Sequence, residues 1–220
     1  MEKYKSVFDI IGPGMVGPSS SHTAGAARID KIARQIFGEQ PDQVDIYLYD
    51  SFAKTYQGHG TDIALVGGIL GMEPDDERLS SSLKLAYEAG VEVCFVPKKE
   101  KASHPNTVKL RLKKGEHLLE LIGESIGGGM IQVTEVNGFK IRFEIGVPTF
   151  LIIHQDVQGV IHCVSEILND NDMNIGTMTV SRIAKGEQAI MVIEVDDKRG
   201  NLILDKLRDI PNLHQVSFFY

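Results

Sequence analysis

The chain has 220 residues, 42% of them apolar and 24% charged, with a net charge of −7. That length suits one large domain or two smaller ones, each with a core of its own. The acidic balance argues against nucleic acid or an anionic membrane as partner, and the one short basic run, Lys98-Lys99-Glu100-Lys101, is broken by an acid. The opening residues, Met1-Glu2-Lys3-Tyr4-Lys5, lead into no apolar run of the signal-peptide kind. No apolar stretch approaches bilayer length, so the expected location is the cytoplasm. Of the two cysteines, Cys94 falls in a strand pattern and Cys163 in a helical one. Both are expected as buried thiols, and by themselves they are too few to hold a zinc ion or an iron–sulfur cluster. No metal site is therefore expected on this chain.

Taken in order, Ser6–Gly12 is a short apolar segment, and glycines and prolines punctuate the stretch Gly12–Pro18. Ser19, Ser20, Ser21, His22 and Thr23 then crowd together directly before an apolar pattern of helical spacing, Ile29, Ile32, Ala33 and Ile36. The spacing predicts a helix over 22–37 that ends near Gly38, with a serine as N-cap. A helix N-terminus offers free N–H groups and the positive end of the dipole. With hydroxyls and an imidazole added, the cluster suits a small anion such as a carboxylate or phosphate. It equally reads as a serine-rich loop with an ordinary cap.

Val44–Tyr49 alternates as a strand. A polar stretch comes next, with His59 between two glycines just before an N-cap at Thr61 or Asp62, and Ile63–Leu70 reads as a short buried helix. A histidine in such a loop is either an exposed loop residue or a working one. Glu77–Ala89 reads as an amphipathic helix with Leu79, Leu83 and Ala86 inward and Gly90 as its stop. Val91–Val96 is a strand, and His104-Pro105-Asn106-Thr107 is a turn opening the strand Val108–Leu112. His104 and Asn106 fit turn formers or site residues. The triple glycine Gly127–Gly129 admits either a ligand's close approach or a bulge. Beyond it, Ile131–Val136 and Phe139–Ile145 flank Asn137-Gly138, a hairpin signal.

Gly146-Val147-Pro148 marks a boundary, dividing the chain into 1–147 and 148–220. The second part reads as strand 149–154, helix 160–169, strands 175–183 and 188–195, helix 202–210 and strand 216–220. This β-α-β-β-α-β order is the ferredoxin-like arrangement, and about 70 residues suit one small domain.

These patterns carry a resemblance. The C-terminal part resembles an ACT domain, an amino-acid-sensing module, in which Asp156, Gln158, Gly159 and Val160 would lie in the effector loop. Asn174 and Ile175 would open the second strand, where a paired copy usually completes the site. The N-terminal part resembles the β region of iron–sulfur L-serine dehydratases, on the strength of Gly17-Pro18-Ser19-Ser20-Ser21-His22-Thr23, Gly58-His59-Gly60-Thr61-Asp62 and His104-Pro105-Asn106. That region is similar to the extra substrate-binding domain of some phosphoglycerate dehydrogenases. The resemblance implies an α+β chain made of an N-terminal α/β domain and a C-terminal ferredoxin-like ACT domain. It implies the conversion of L-serine to pyruvate and ammonia with a [4Fe–4S] cluster whose cysteines belong to a separate alpha chain. It also implies a homodimer through the ACT domain.

Under it His59 is the base, and Ser19, Ser20, Ser21, His22 and Thr23 bind the substrate carboxylate or orient the alpha chain. Asp62, His104 and Asn106 join the same shell. The alternative is a non-catalytic regulatory subunit that senses serine through the ACT domain. A pyridoxal-phosphate enzyme is disfavoured, since no glycine-rich phosphate loop accompanies the lysines. A serine hydrolase is disfavoured too: Ser21 and His22 are diverging neighbours, and no Gly-x-Ser-x-Gly elbow is present.

Overall fold

The computed structural model describes residues 14–220; the apolar segment expected at 6–12 lies outside the described residues. The chain divides into two compact units. The first runs up to Gly138 and includes Arg142–Glu144; the second comprises Phe139–Ile141 and Ile145–Tyr220.

The first unit opens with one turn wound as a π-helix, Ser20–Ala24, continuous with helix α1, Gly25–Phe37. Its apolar positions fall on one stripe, so Ile29, Ile32, Ala33 and Ile36 are all buried, and Gly38 closes the helix in the left-handed region at φ 84°. Strand β1 (Gln43–Leu48) comes next, then helices α2 (Asp50–Thr55) and α3 (Thr61–Ile69). A 3₁₀ turn at Glu77–Ser81 leads into α4 (Ser82–Glu88). Strands β2 (Glu92–Pro97), β3 (Thr107–Lys114), β4 (His117–Gly127) and β5 (Met130–Val136) complete the series, and β6 (Phe139–Glu144) is divided between the two units. The sheet order is β2-β1-β3-β4-β5-β6. Strand β1 runs parallel to β2 and antiparallel to β3, and β3–β4 and β4–β5 are antiparallel.

Register places the apolar residues in rows across one face. Val44 pairs with Leu112 and Leu112 with Leu119; Ile46 pairs with Leu110 and Leu110 with Leu121. All of these are fully buried. Helices α1 and α3 pack closely because Gly68 has no side chain: a Cβ there would stand 2.2 Å from Ala27 O and 2.8 Å from Asp30 Cβ. The expected hairpin is present, with Asn137 at φ 48° and Gly138 at φ 82°, the positive pair a type I′ turn requires.

Two expectations are overturned. Leu83 is 42% exposed, because the 3₁₀ turn before it winds tighter than an α-helix and leaves Leu79 and Ala86, not Leu83, facing inward. Cys94 is exposed rather than buried, since β2 is an edge strand and its alternation sends Cys94 outward between the half-buried Val93 and Phe95; Cys163 is half-buried.

The second unit contains β7 (Thr149–Gln155), α5 (Val160–Asp170), β8 (Ile175–Arg182), β9 (Gln188–Val195), a 3₁₀ turn at Lys198–Ile203 running into α6 (Leu204–Arg208), and β10 (Leu213–Phe219). Its sheet has the order β10-β7-β9-β8, and every pairing is antiparallel. This is the split β-α-β arrangement expected from the sequence. Phe150, Ile152, Met191, Ile193 and Phe218 on one sheet face pack with Val164, Leu168 and Leu207 of the two helices.

Candidate functional site

The site is built where the first turn of the α1 stack, the loop before α3 and the turn before β3 meet. Ser19 is the N-cap: its backbone is extended and its Oγ accepts the His22 N–H at 3.2 Å. This locks the serine run against the helix end, with Ser20 O accepting the Gly25 N–H. His22 is the centre of the arrangement. Its Nδ1 lies 3.1 Å from Ser21 Oγ and 3.4 Å from Ser19 Oγ, and its Nε2 lies 3.0 Å from Ser51 Oγ. The ring stands edge-on to Phe52, a fully buried side chain, at 5.2 Å between centroids. Burial, and secondarily the nearby His59, hold the His22 imidazole below its usual 6.5. It is thus neutral at physiological pH.

His59 reaches the same place from the loop between α2 and α3. Its ring centroid lies 5.0 Å from that of His22 at 84°, and its side chain is otherwise exposed. The His59 backbone is held on both sides: its N–H donates to Thr55 O at 3.0 Å, and Thr23 Oγ1 donates to its carbonyl at 3.4 Å. The N-cap of α3 is Gly60 in the left-handed region, not Thr61 or Asp62; only a residue free of a Cβ turns the chain there without strain. Asp62 Oδ1 instead accepts the Ile63 N–H at 2.9 Å, and burial raises its carboxyl above the usual value.

The third motif joins through the backbone. The Ser51 N–H donates to Pro105 O at 2.9 Å, inside His104-Pro105-Asn106. His104 itself works as a turn former, its Nδ1 accepting the Asn106 N–H at 3.2 Å. Asn106 bonds Ser125 twice: the Ser125 N–H donates to Asn106 O at 3.0 Å, and Asn106 Nδ2 donates to Ser125 O at 3.4 Å. Ser125 stands against the start of α1, where a Cβ on Gly25 would lie 2.0 Å from its Oγ. The triple glycine is tied down as well, with Arg28 Nη1 donating to Gly129 O at 2.7 Å. So Ser19, Ser21, His22, Thr23 and His59 come together directly, and Asn106 is linked through Ser51 and Ser125. Sequence reasoning missed Ser51, Phe52 and Ser125. The only local sign of Ser51 is its place just past a strand end.

In the second unit, Gly159 caps α5 at φ 97° and Val160 is buried in the core. Asp156 accepts from Arg182 Nη1 at 2.9 Å and from the Gly186 N–H at 3.0 Å, and these, the backbone bond foremost, hold its carboxyl below the ordinary range. Asn174 Nδ2 donates to Asp196 Oδ2 at 2.8 Å. Asp156 and the exposed Gln158 lie just past the end of β7, whereas Ile175 pairs with Val195 beside the start of β7. Within one chain the two halves of the expected effector site therefore lie at opposite ends of the sheet.

Such a chain belongs to the class of two-unit α+β proteins with a hydroxyl- and histidine-lined site on the first unit and a ferredoxin-like second unit. Comparison with known proteins narrows the class. A family model described as serine dehydratase beta chain matches residues 6–85. The chain is 46% identical to a probable L-serine dehydratase beta chain of Bacillus subtilis, over 98% of both chains. It is 41% identical to an L-serine dehydratase beta chain of Peptoniphilus asaccharolyticus, over 87% of both. It is also 28% identical to a D-3-phosphoglycerate dehydrogenase of Bacillus subtilis, over 87% of this chain and 37% of that one. Among solved structures it is similar to the ACT domain of a GTP pyrophosphokinase of Chlorobium tepidum, at 19% identity over 33% of this chain and 96% of that one, with a TM-score of 0.27. The chain belongs to the serine dehydratase beta chain family. Among the described residues, no helix is long and apolar enough to cross a membrane.

Proposed function

We propose that this chain is the beta subunit of a cytoplasmic L-serine ammonia-lyase, which converts L-serine to pyruvate and ammonia in complex with a separate alpha chain. The observation that carries the reading is the His22–His59 pair: an exposed imidazole set 5.0 Å from a half-buried one whose nitrogens are both met by hydroxyls. The near-full-length likeness to chains named L-serine dehydratase beta chain supplies the substrate.

The [4Fe–4S] cluster expected of this family does not fit on this chain. Its cysteines are two, Cys94 on an edge strand of the first unit and Cys163 in α5 of the second, and a cluster takes more thiolates than that. Among the described residues no group of histidine, cysteine and carboxylate side chains is placed to hold a metal ion. The cluster ligands are therefore assigned to the alpha chain.

This chain's share is binding and proton transfer. The substrate carboxylate lies against the N-terminal turn at Ser19–Thr23, where N–H groups, hydroxyls and the helix dipole favour an anion. His59 removes the α-proton. An imidazole nitrogen with a free lone pair suits that task as a proton acceptor. The neutral His22 beside it adds no second positive charge when His59 becomes protonated. Loss of the α-proton and of the β-hydroxyl as water leaves an enamine; its imine tautomer hydrolyses to pyruvate and ammonia.

The ferredoxin-like unit is assigned as an ACT domain. Since Asp156 and Asn174 stand at opposite ends of one sheet, a homodimer would be needed to bring the two halves of the effector site together.

The test is anaerobic co-expression with the alpha chain and assay of pyruvate formation from L-serine. The expected result is an active complex whose kcat falls by two to four orders of magnitude, roughly, in His59→Ala. Full turnover in that variant would move the base elsewhere. A complex that forms without making pyruvate would favour the amino-acid-sensing subunit.

A further inference from the structure

A continuous run of hydrogen-bonding groups surrounds His22. The His22 backbone N–H donates to Ser19 Oγ at 3.2 Å; Ser19 Oγ lies 3.3 Å from Ser21 Oγ; Ser21 Oγ lies 3.1 Å from His22 Nδ1; and His22 Nε2 lies 3.0 Å from Ser51 Oγ. A backbone amide can only donate. An oxygen that accepts a hydrogen bond becomes a better donor through its own proton. Traced outward from the amide, each hydroxyl then accepts once and donates once: Ser19 to Ser21, and Ser21 to Nδ1. His22 carries its proton on Nε2 and donates it to Ser51 Oγ. In the opposite sense Ser51 would donate to Nε2 and the leftover proton would be that of Ser19, whose Oγ would accept from both the amide and Ser21; the outward sense is favoured because no oxygen in it accepts twice. The outward sense leaves one free proton at the end of the run, on Ser51. Among the described residues Ser51 Oγ makes one hydrogen bond, to His22 Nε2.

Ser51 is also held in place. Its N–H donates to Pro105 O at 2.9 Å, and its carbonyl accepts from Thr55 Oγ1 at 2.8 Å. Asp50 before it sits at φ 42°, a costly conformation for a residue with a Cβ, and its carboxylate accepts the Ala102 N–H at 2.9 Å. This half-exposed, firmly held hydroxyl stands beside the His22–His59 pair, 3.0 Å from His22 Nε2.

We propose that Ser51 is a substrate-binding residue whose hydroxyl donates to the carboxylate of the amino-acid substrate, an assignment that rests on the dehydratase reading. A carboxylate fits because it only accepts, and because its charge strengthens the bond. Two measurements keep the failure of this inference distinct from failure of that reading. The first is long-range proton–nitrogen NMR on the full chain with ¹⁵N-labelled histidine. His22 is expected as the Nε2–H tautomer, and an Nδ1–H tautomer overturns the inference whatever the activity. The second uses the complex with the alpha chain. Ser51→Ala is expected to raise KM for L-serine by about tenfold or more, whereas Ser51→Thr, which keeps the hydroxyl, stays within about threefold. An unchanged KM in Ser51→Ala, in a complex whose wild-type form makes pyruvate, overturns the inference alone. A wild-type complex that makes no pyruvate sinks the dehydratase reading, and the tautomer still decides the direction of the run.

Discussion

His22 and His59 differ in what surrounds them, and the difference is measurable. His22 is half-buried among three serine hydroxyls and Phe52, so charging it removes a cation from water without supplying a carboxylate partner. Its folded value lies below the 6.5 of the free side chain, and His59 contributes to the lowering. In His59→Ala, an NMR titration of His22 is expected to show its midpoint rising toward 6.5 but remaining below it, because burial is the larger cause. The linkage has a definite sign. Below about 6.5 the unfolded chain takes up a proton at this position more readily than the folded one, so the His22 contribution to stability is complete above that pH and declines as the pH falls through it. At this scale the sequence was informative about residue types. It showed a histidine among serines and another between glycines, but not that the two rings touch.

The contact between α1 and α3 decides how the site is held. Gly68 lets the helices approach until a Cβ would meet Ala27 O, Asp30 Cβ and Lys31 N, two of them backbone atoms that cannot swing aside. Gly68→Ala is therefore expected to cost at least about 2 kcal/mol in denaturant unfolding, although alanine is the better helix former. Asp30 lies in the same contact, fully buried, with neither carboxylate oxygen bonded among the described residues. Burial raises its folded value well above 3.8. The folded chain keeps this proton while the unfolded chain releases it, so the stability it contributes is greatest below 3.8 and is lost as pH rises toward the folded value. Asp30→Asn does not titrate. It is expected to raise stability near neutral pH and to flatten the slope between acidic and neutral pH, as read from melts across that range. Elements with strong patterns were legible: β1 and β3 from alternation, α1 from its stripe, the hairpin from Asn137-Gly138. Helix α2 is too short to show a helical period. Strand β4 is interrupted by Gly123 and carries Glu124 and Ser125 buried, which blurs its alternation.

For the whole molecule, the proposed division of labour predicts how iron and fold should separate. Stripping the cluster from the assembled enzyme by oxidation and chelation is expected to abolish pyruvate formation. The circular dichroism and melting temperature of this chain, purified alone, are expected to be unaffected by the same treatment, because its two cysteines stand in separate units. A melting temperature of the isolated chain that drops on chelation would place a metal on this chain after all. The isolated chain is further expected to sediment as a homodimer, since one sheet presents the two halves of the expected effector site at opposite ends.

Several things were determined by the sequence alone: the α+β class, the β-α-β-β-α-β order of the second unit, the three motifs and the shortage of thiolates. Each of these depends on residue type and near spacing, which apolar periodicity and turn chemistry express locally. Other features were decided only by the tertiary structure. Ser51 bonds a histidine 29 residues away; Ser125 meets the first turn of α1; Asp30 is sealed under Gly68; Cys94 and Leu83 face outward. The physical reason is the same in each case. Burial and hydrogen bonding depend on which distant segments the sheet register and helix packing bring within a few ångströms, and nothing in local spacing encodes that distance.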